Sequence, residues 1–357
     1  MENTVLCPLD GRYHGKLALL RQYMDEASFA SARIKAETAW LEVLSSLKLP
    51  HLKPLTAAEK KQLAKLSDIT EKDLAILTAL EQTGYRQFPA TKHDVKAVEY
   101  FLKLKLQSTS LKDRLPWLHF ALTSEDVNSA AYAMLLADGI EKVLLPTLGQ
   151  VSKALAQLAR KEARSVMLAR THGQPAVPTT FGKEIRVFDM RLRRQLEQLK
   201  KQQISCKFGG AVGNYNAHVA AYSKVNWLRA AKQFVAKLNE NRHVKIVLSP
   251  LSTQVDNRDT YAELFDNLRR CNVILTDFSQ DMWHYISAGL VRQKVVAGEV
   301  GSSTMPQKVN PIDFENAEGN LQLANALFSL FAQKLPVSRL QRDLSDSTVL
   351  RNMGVAF

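Results

Sequence analysis

Residues 298–313 read GEVGSSTMPQKVNPID, and the rest of the chain is organised around this stretch. Glycine and proline at this density break regular structure, whereas the segments on both sides carry apolar residues at helical spacing. A long polar loop inside a helical chain costs ordering entropy and is usually functional or disordered. Its side chains suit chemistry. Ser302 and Ser303 offer hydroxyls beside Gly301, Lys308 a fixed positive charge, and Asn310 an amide that can bond through both of its polar atoms. A plain solvated connection between helices is the alternative reading of the same composition.

Outward from this loop the pattern is helical. Upstream, Tyr261, Leu264, Leu268, Val273, Leu275, Phe278, Met282, Ile286 and Leu290 recur on one side and predict one helix over Arg258–Val296. Downstream, Phe314–Leu335 reads as a helix ended by Pro336, and Leu340–Arg351 as a polar loop. From the N-terminus, Met1–Asp10 reads as an extended lead-in and Asp10–Tyr13 (DGRY) as a turn. Residues 16–48 read as one helix, Thr56–Glu59 as a capping box, Glu71–Thr83 as a helix and Gly84–Ala90 as a loop.

Thr91–Leu106 places His93 and Asp94 at a helix N-terminus, where backbone N–H groups favour anions; Asp94 as a simple cap is the alternative. Thr123–Asp126 opens another helix in the same manner, with Thr123 or Ser124 as cap. Residues 128–164 read as one helix kinked near Pro146, Thr180–Gln203 as a basic amphipathic helix, and Lys224–Asn239 as a further helix, with a short strand in Val244–Leu251. Arg170–Pro178 (RTHGQPAVP) is a second irregular island. A lone histidine is more often structural than catalytic, but His172 has no place on an apolar face, and histidine is the natural proton carrier near neutral pH. Phe208–Asn214 (FGGAVGN) is not a dinucleotide fingerprint, because no strand is expected before it and the glycine spacing is wrong; it reads as a tight turn close to the site. The expected fold is all-α, a bundle of long helices, with a division near Leu115–Trp117 into an N-terminal helical domain, residues 1–114, and a central long-helix domain, residues 115–357.

Composition narrows the class. The 357 residues are 46% hydrophobic and 23% charged, ordinary values for a globular protein. No run of about 18 apolar residues is present and the N-terminus has no secretory pattern, so the cytosol is the expected compartment. Three cysteines far apart, and eight histidines without HxxH or HExxH spacing, give neither a disulfide framework nor a zinc site. Neither a metal nor an organic cofactor is expected. The net charge of +13 is spread along the chain, which suits steering of an anionic small molecule and gives only slight support to nucleic-acid binding.

GSSTMPQKVNP (Gly301–Pro311) resembles the signature of the fumarase/aspartase superfamily, whose members reversibly eliminate fumarate from a carbon–nitrogen or carbon–oxygen bond. THGQPAVPTTFGKE (Thr171–Glu184), TKHDVKAVEYFLK (Thr91–Lys103), FALTSEDVN (Phe120–Asn128) and LQRDLSDSTVLRN (Leu340–Asn352) resemble the adenylosuccinate lyase family within it, in particular its bacterial branch. The similarity runs through nearly the whole chain. It implies elimination of fumarate from adenylosuccinate to give AMP, and from the succinylated aminoimidazole carboxamide ribotide (SAICAR) to give AICAR, in purine nucleotide biosynthesis. It also implies a homotetramer around a twenty-helix core, with each site shared between three subunits. Family members continue into a small C-terminal helical domain, which is expected to be absent here.

The resemblance also assigns roles. Ser302 is the base, Lys308 stabilises its alkoxide, His172 is the acid that protonates the leaving amine, and Glu315 is expected to pair with His172. The implied substrate contacts are Arg12, Tyr13, Lys92, His93, Asp94, Thr123, Ser124, Gln254, Ser303, Lys308, Val309, Asn310, Asn316, Arg342, Ser347, Thr348, Val349, Leu350 and Arg351. Arg12, Arg342 and Ser347–Arg351 fall to the phosphate, where guanidinium geometry fits. Lys92 departs from the small polar residue usual before His-Asp, and Gln307 replaces a histidine found in many relatives. Two alternatives stand beside this reading: a sister lyase acting on argininosuccinate or malate, or a non-catalytic helical protein that binds nucleic acid.

Overall fold

Capping residues decide where the helices begin. The computed structural model describes residues 5–294 and 309–357. After the DGRY turn and a 3₁₀ turn, α1 (Ala18–Met24) gives way at Asp25 to α2 (Glu26–Ser46). The expected single helix over 16–48 is broken there because Asp25 is extended and its carboxylate accepts the Ser28 N–H at 2.7 Å, capping a new start. The lead-in is also corrected: residues 6–13 form bends and turns rather than an extended segment.

The Thr56/Glu59 box opens α3 (Ala57–Lys65) as expected, and a second box, Thr70/Asp73, opens α4 (Glu71–Gln82). Then come α5 (Asp94–Leu106) and α6 (Ser124–Gly139). The long helix expected over 128–164 is interrupted by a π-helical turn, Ile140–Leu144, before α7 (Leu145–Lys161). Pro146 has no N–H to give to an α-helical ladder, and the chain widens just ahead of it.

The RTHGQPAVP island is not a loop but a hairpin: β1 (Val166–Thr171) pairs antiparallel with β2 (Gln174–Thr180). α8 (Phe181–Lys200) follows, capped by Thr180. A strand, β3 (Gln203–Cys206), does precede the glycine turn, and it pairs in parallel with β4 (Lys245–Leu248) across α9 (Asn216–Ala221) and α10 (Trp227–Leu238). α11 (Asp259–Ser287) stops short of the expected Val296, since Gly289 at φ 71° turns the chain; Val295 and Val296 lie outside the described residues. α12 (Ile312–Lys334) runs as expected, while the polar segment after it holds a short helix, α13 (Ser345–Leu350), before α14 (Met353–Ala356). Among the described residues no helix is long and apolar enough to cross a membrane.

The chain forms two compact units. The first takes residues up to Leu144, Gln202–Tyr261 and Lys334–Gly354; the second takes Leu145–Lys201, the described part of Ala262–Gln333, and Val355–Phe357. The described residues of 1–114 thus lie within the first unit, whereas those of 115–357 contribute to both.

In the first unit α2 and α6 are buried almost all round, with Ile34, Trp40, Leu41, Ala130, Ala133 and Leu136 fully enclosed. Trp40 meets the rings of Phe208, Trp227 and Phe234 at 4.7, 6.3 and 6.1 Å. In the second unit Leu155, Ile185, Leu192, Leu196 and Ile274 join α7, α8 and α11 in one core. Gly182 lets α8 approach the end of α7: a Cβ there would lie 2.3 Å from the Ala159 carbonyl oxygen.

The Trp40 core also encloses His218, whose ring nitrogens have no hydrogen-bond partner among the described residues. Trp227, Tyr215 and Phe208 ring it at 5.0, 5.4 and 5.7 Å. Burial pushes its pKa from the usual 6.5 down to about 4, helped by the nearby Lys207 charge and opposed by Asp126. The folded protein therefore holds His218 neutral while the unfolded chain takes up a proton below about pH 6.5. Its contribution to stability is complete above that pH and declines at up to about 1.4 kcal/mol per pH unit on acidification toward pH 4. Urea midpoints for the protein and for His218→Phe, compared at pH 7 and pH 4.5, should show a smaller acid loss in the variant. Equal losses would refute the buried neutral ring.

Candidate functional site

Three segments far apart in sequence meet in the first unit. His93 is the extended N-cap of α5, and its Nδ1 accepts the Lys96 N–H at 3.4 Å. Its Nε2 faces Ser124 Oγ at 3.2 Å at the start of α6. Asp94, beside it, takes Arg33 at 2.5 Å and Arg351 at 3.2 Å. Burial raises the Asp94 pKa, but the Arg33 charge and hydrogen bond, the Val95 N–H and Arg351 together hold it below the usual carboxylate range.

The network continues along α6. Arg33 donates to Asn128 Oδ1 at 2.9 Å, and Asn128 donates to Glu125 Oε1 at 3.0 Å. Glu125 faces Arg342 at 3.1 Å and Arg258 at 3.3 Å, and Arg258 reaches Asp346 at 2.9 Å. The Gln254 N–H donates to the Gln341 carbonyl at 3.2 Å, so Gln254 stands next to the Arg342 segment. A cavity of about 320 Å³, lined by Phe29, Arg33, Asp94, Tyr132, Leu350 and Arg351 among others, opens on one side of this wall. Burial pushes the Tyr132 phenol up to about 12, so it stays protonated there.

Four guanidinium groups against three carboxylates leave the wall with an excess positive charge. Arg351 is its most exposed member: the side chain is 61% exposed and shares its one carboxylate with Arg33. Such a group can turn onto an anionic ligand at little cost.

His93, Asp94, Ser124, Gln254, Arg342 and Arg351 are therefore brought together. Ser347, Thr348, Val349 and Leu350 sit on α13, next to Asp346. Thr123 holds the α6 start through its N–H, which donates to Asp126 Oδ2 at 2.8 Å. Lys92 is used differently: its ammonium donates to the Gln82 carbonyl at 2.6 Å, at the C-terminal end of α4. Arg12 and Tyr13 lie on the first turn, Arg12 exposed and Tyr13 half-buried, and no described hydrogen bond joins their side chains to the wall.

In the second unit His172 stands exposed at the tip of the β1–β2 hairpin. Its φ of 53° and that of Gly173, 75°, form the tight turn, which Arg170 braces by donating to the Gly173 carbonyl at 3.1 Å. Glu315 accepts the Trp283 indole N–H at 3.0 Å, and among the described residues no hydrogen bond or ion pair joins it to His172. Asn316 accepts from Asn320 at 2.9 Å through its side chain. Val309 is exposed and Asn310 half-buried. Ser302, Ser303 and Lys308 lie outside the described residues.

Sequence reasoning missed Arg33, Glu125, Asn128, Arg258 and Asp346. A signal existed for Arg33: with Phe29, Glu37 and Leu41 it falls on one face of α2, and a charge on such a face needs a partner. The others give no local sign.

The class of this protein follows from its relatives, which make it a carbon–nitrogen lyase of the fumarase/aspartase superfamily. A family model described as lyase matches residues 11–324. Adenylosuccinate lyase of Legionella pneumophila (strain Corby) is 46% identical over 99% of this chain and 75% of its own length. The adenylosuccinate lyases of Dictyostelium discoideum and Escherichia coli (strain K12) are 45% and 44% identical at the same coverage. The chain thus spans three-quarters of the length of these relatives. Among solved structures, 3-carboxy-cis,cis-muconate lactonizing enzyme from Pseudomonas putida has a TM-score of 0.73 at 20% identity, covering 94% of this chain and 71% of its own. Fumarate lyase from Mesorhizobium sp. BNC1 has a TM-score of 0.71 at 19% identity with the same coverage. At that identity the two structures bear on the fold. This chain belongs to the adenylosuccinate lyases of the fumarase/aspartase superfamily. Neither alternative, a sister lyase or a non-catalytic nucleic-acid-binding protein, is favoured by these relatives.

Proposed function

We propose that the protein eliminates fumarate from adenylosuccinate to leave AMP, and from SAICAR to leave AICAR, in the cytoplasm and without a cofactor. The observation that carries this reading is the junction of His93, Asp94, Ser124, Arg342 and Arg351 from three remote segments into one guanidinium-rich wall. A phosphorylated, dicarboxylated substrate fits such a wall.

In this reading Ser302 removes a proton from the carbon beside a carboxylate. Lys308 and Asn310 stabilise the resulting dianion, electrons close the new carbon–carbon double bond, and the carbon–nitrogen bond breaks as His172 protonates the amine. Arg12, Arg342 and Ser347–Arg351 take the phosphate. In this reading the protein is a homotetramer, each of whose sites gathers side chains from three subunits.

Mixing the purified protein with adenylosuccinate and following AMP and fumarate by chromatography tests the assignment. Equimolar release is expected. Turnover of argininosuccinate with none of adenylosuccinate would replace it by the sister-lyase reading.

A further inference from the structure

We propose that Arg258 is a positioning residue for phosphate recognition: it locks the starts of α6 and α13 together so that Arg342 and Arg351 present their guanidinium groups to the ligand. The inference rests on the reading above that Arg342 and Ser347–Arg351 hold the phosphate.

Arg258 is 2% exposed, and its Nη2 lies 3.3 Å from Glu125 Oε2 and 2.9 Å from Asp346 Oδ2. Glu125 follows Ser124, and Asp346 precedes Ser347, whose N–H it accepts at 2.8 Å. One side chain thus joins two segments that carry proposed substrate contacts. It also belongs to a third, because Gln254 lies four residues upstream and the Arg258 N–H is fixed by Asp256 Oδ2 at 3.0 Å.

The residue occupies this place against its own preferences. Its backbone is left-handed, at φ 60°, and its Nη1 is buried without a hydrogen-bond partner among the described residues. Both features cost stability and persist only where the surroundings enforce them. Electrostatics gives the reason. Glu125 and Asp346 are both buried, and among the described residues the guanidinium left against Glu125 without Arg258 is that of Arg342. Arg342 would then be drawn fully onto Glu125, and Asp346 would lose its partner, loosening α13 and Arg351 with it. Arg258 neutralises the pair from behind, so that Arg342, whose Nη1 faces Glu125 at 3.1 Å, is not the only charge compensating that carboxylate and can also serve an incoming anion.

A general structural role and this specific one differ in what they do to phosphate. Inhibition constants of AMP and of adenosine, with KM and kcat for adenylosuccinate, should be measured on the parent, Arg258→Met, Arg258→Lys and Asp346→Asn. Arg258→Met should raise KM and the AMP inhibition constant about tenfold, the scale of one lost charge-assisted contact, while the adenosine constant and kcat stay within about twofold. Arg258→Lys should recover part of the loss. Asp346→Asn should reproduce it, with no further loss in the double variant. Parallel shifts for AMP and adenosine, or no shift for either, would overturn the proposal. Should Arg258→Met fail to fold, the lysine and Asp346→Asn variants carry the same comparison. A parent protein that does not turn over adenylosuccinate would count against the functional reading instead.

Discussion

Replacing His172 with alanine is expected to lower kcat for fumarate release by about 10³-fold while KM stays within about threefold, the pattern of a lost proton donor rather than a lost binding contact. The geometry makes the experiment clean. His172 is exposed at a hairpin tip, and the turn is held by Gly173 and by Arg170, neither of which depends on the imidazole. The variant should therefore melt with the parent, and added imidazole should restore part of the rate. Ser302→Ala, assayed beside it, should lose a comparable factor with binding retained, since the two groups act at opposite ends of the same elimination. Near-parental turnover in His172→Ala would remove the acid from the proposal and leave the wall as a binding site only.

The second large effect concerns stability. Lys207→Met is expected to lower the free energy of unfolding by about 3–5 kcal/mol, the usual result of leaving a buried charge without its partner. Lys207 and Asp126 are both fully buried, 2.8 Å apart. The ammonium also donates to the Gly210 carbonyl at 2.6 Å, and the carboxylate accepts the N–H groups of Gly209 and Gly210, each at 3.0 Å. The same carboxylate holds the Thr123 N–H, so the pair joins the glycine turn to the start of α6. Removing the ammonium leaves Asp126 charged in a dry place; removing both charges, as in Lys207→Met with Asp126→Asn, should recover part of the loss. Urea unfolding monitored by circular dichroism reads both. A loss below about 1 kcal/mol in the single variant would mean that backbone N–H groups alone satisfy Asp126.

What could be read from the chain before folding follows physical range. Local signals were legible: the Thr56/Glu59 box and the helix starts at Asp94 and Ser124 rest on residues within about four positions of each other. Breaks that preserve the apolar spacing were not legible. Asp25 and the π-turn before Pro146 leave the hydrophobic stripe nearly in phase on both sides, so periodicity alone runs straight through them. The hairpin was hidden because two prolines within nine residues read as a loop, whereas the strand that holds them is an edge. At the site, the residue types were visible but their partners were not. Arg351 meets Asp94 across 257 positions, and Arg258 meets Glu125 across 133. No spacing rule reaches so far.

The β1–β2 hairpin carries one further implication. Val166 and Val177 are 76% and 65% exposed, and a sticky two-stranded ribbon standing in solvent is a template on which any passing strand could nucleate a fibre. Pro175 and Pro178 withdraw amide donors from β2, and the register slip between Leu168 and Arg170 disturbs the regular repeat of β1. The hairpin that displays His172 thus exposes apolar side chains while declining to grow, so crowding or high expression need not turn it into a seed for aggregation.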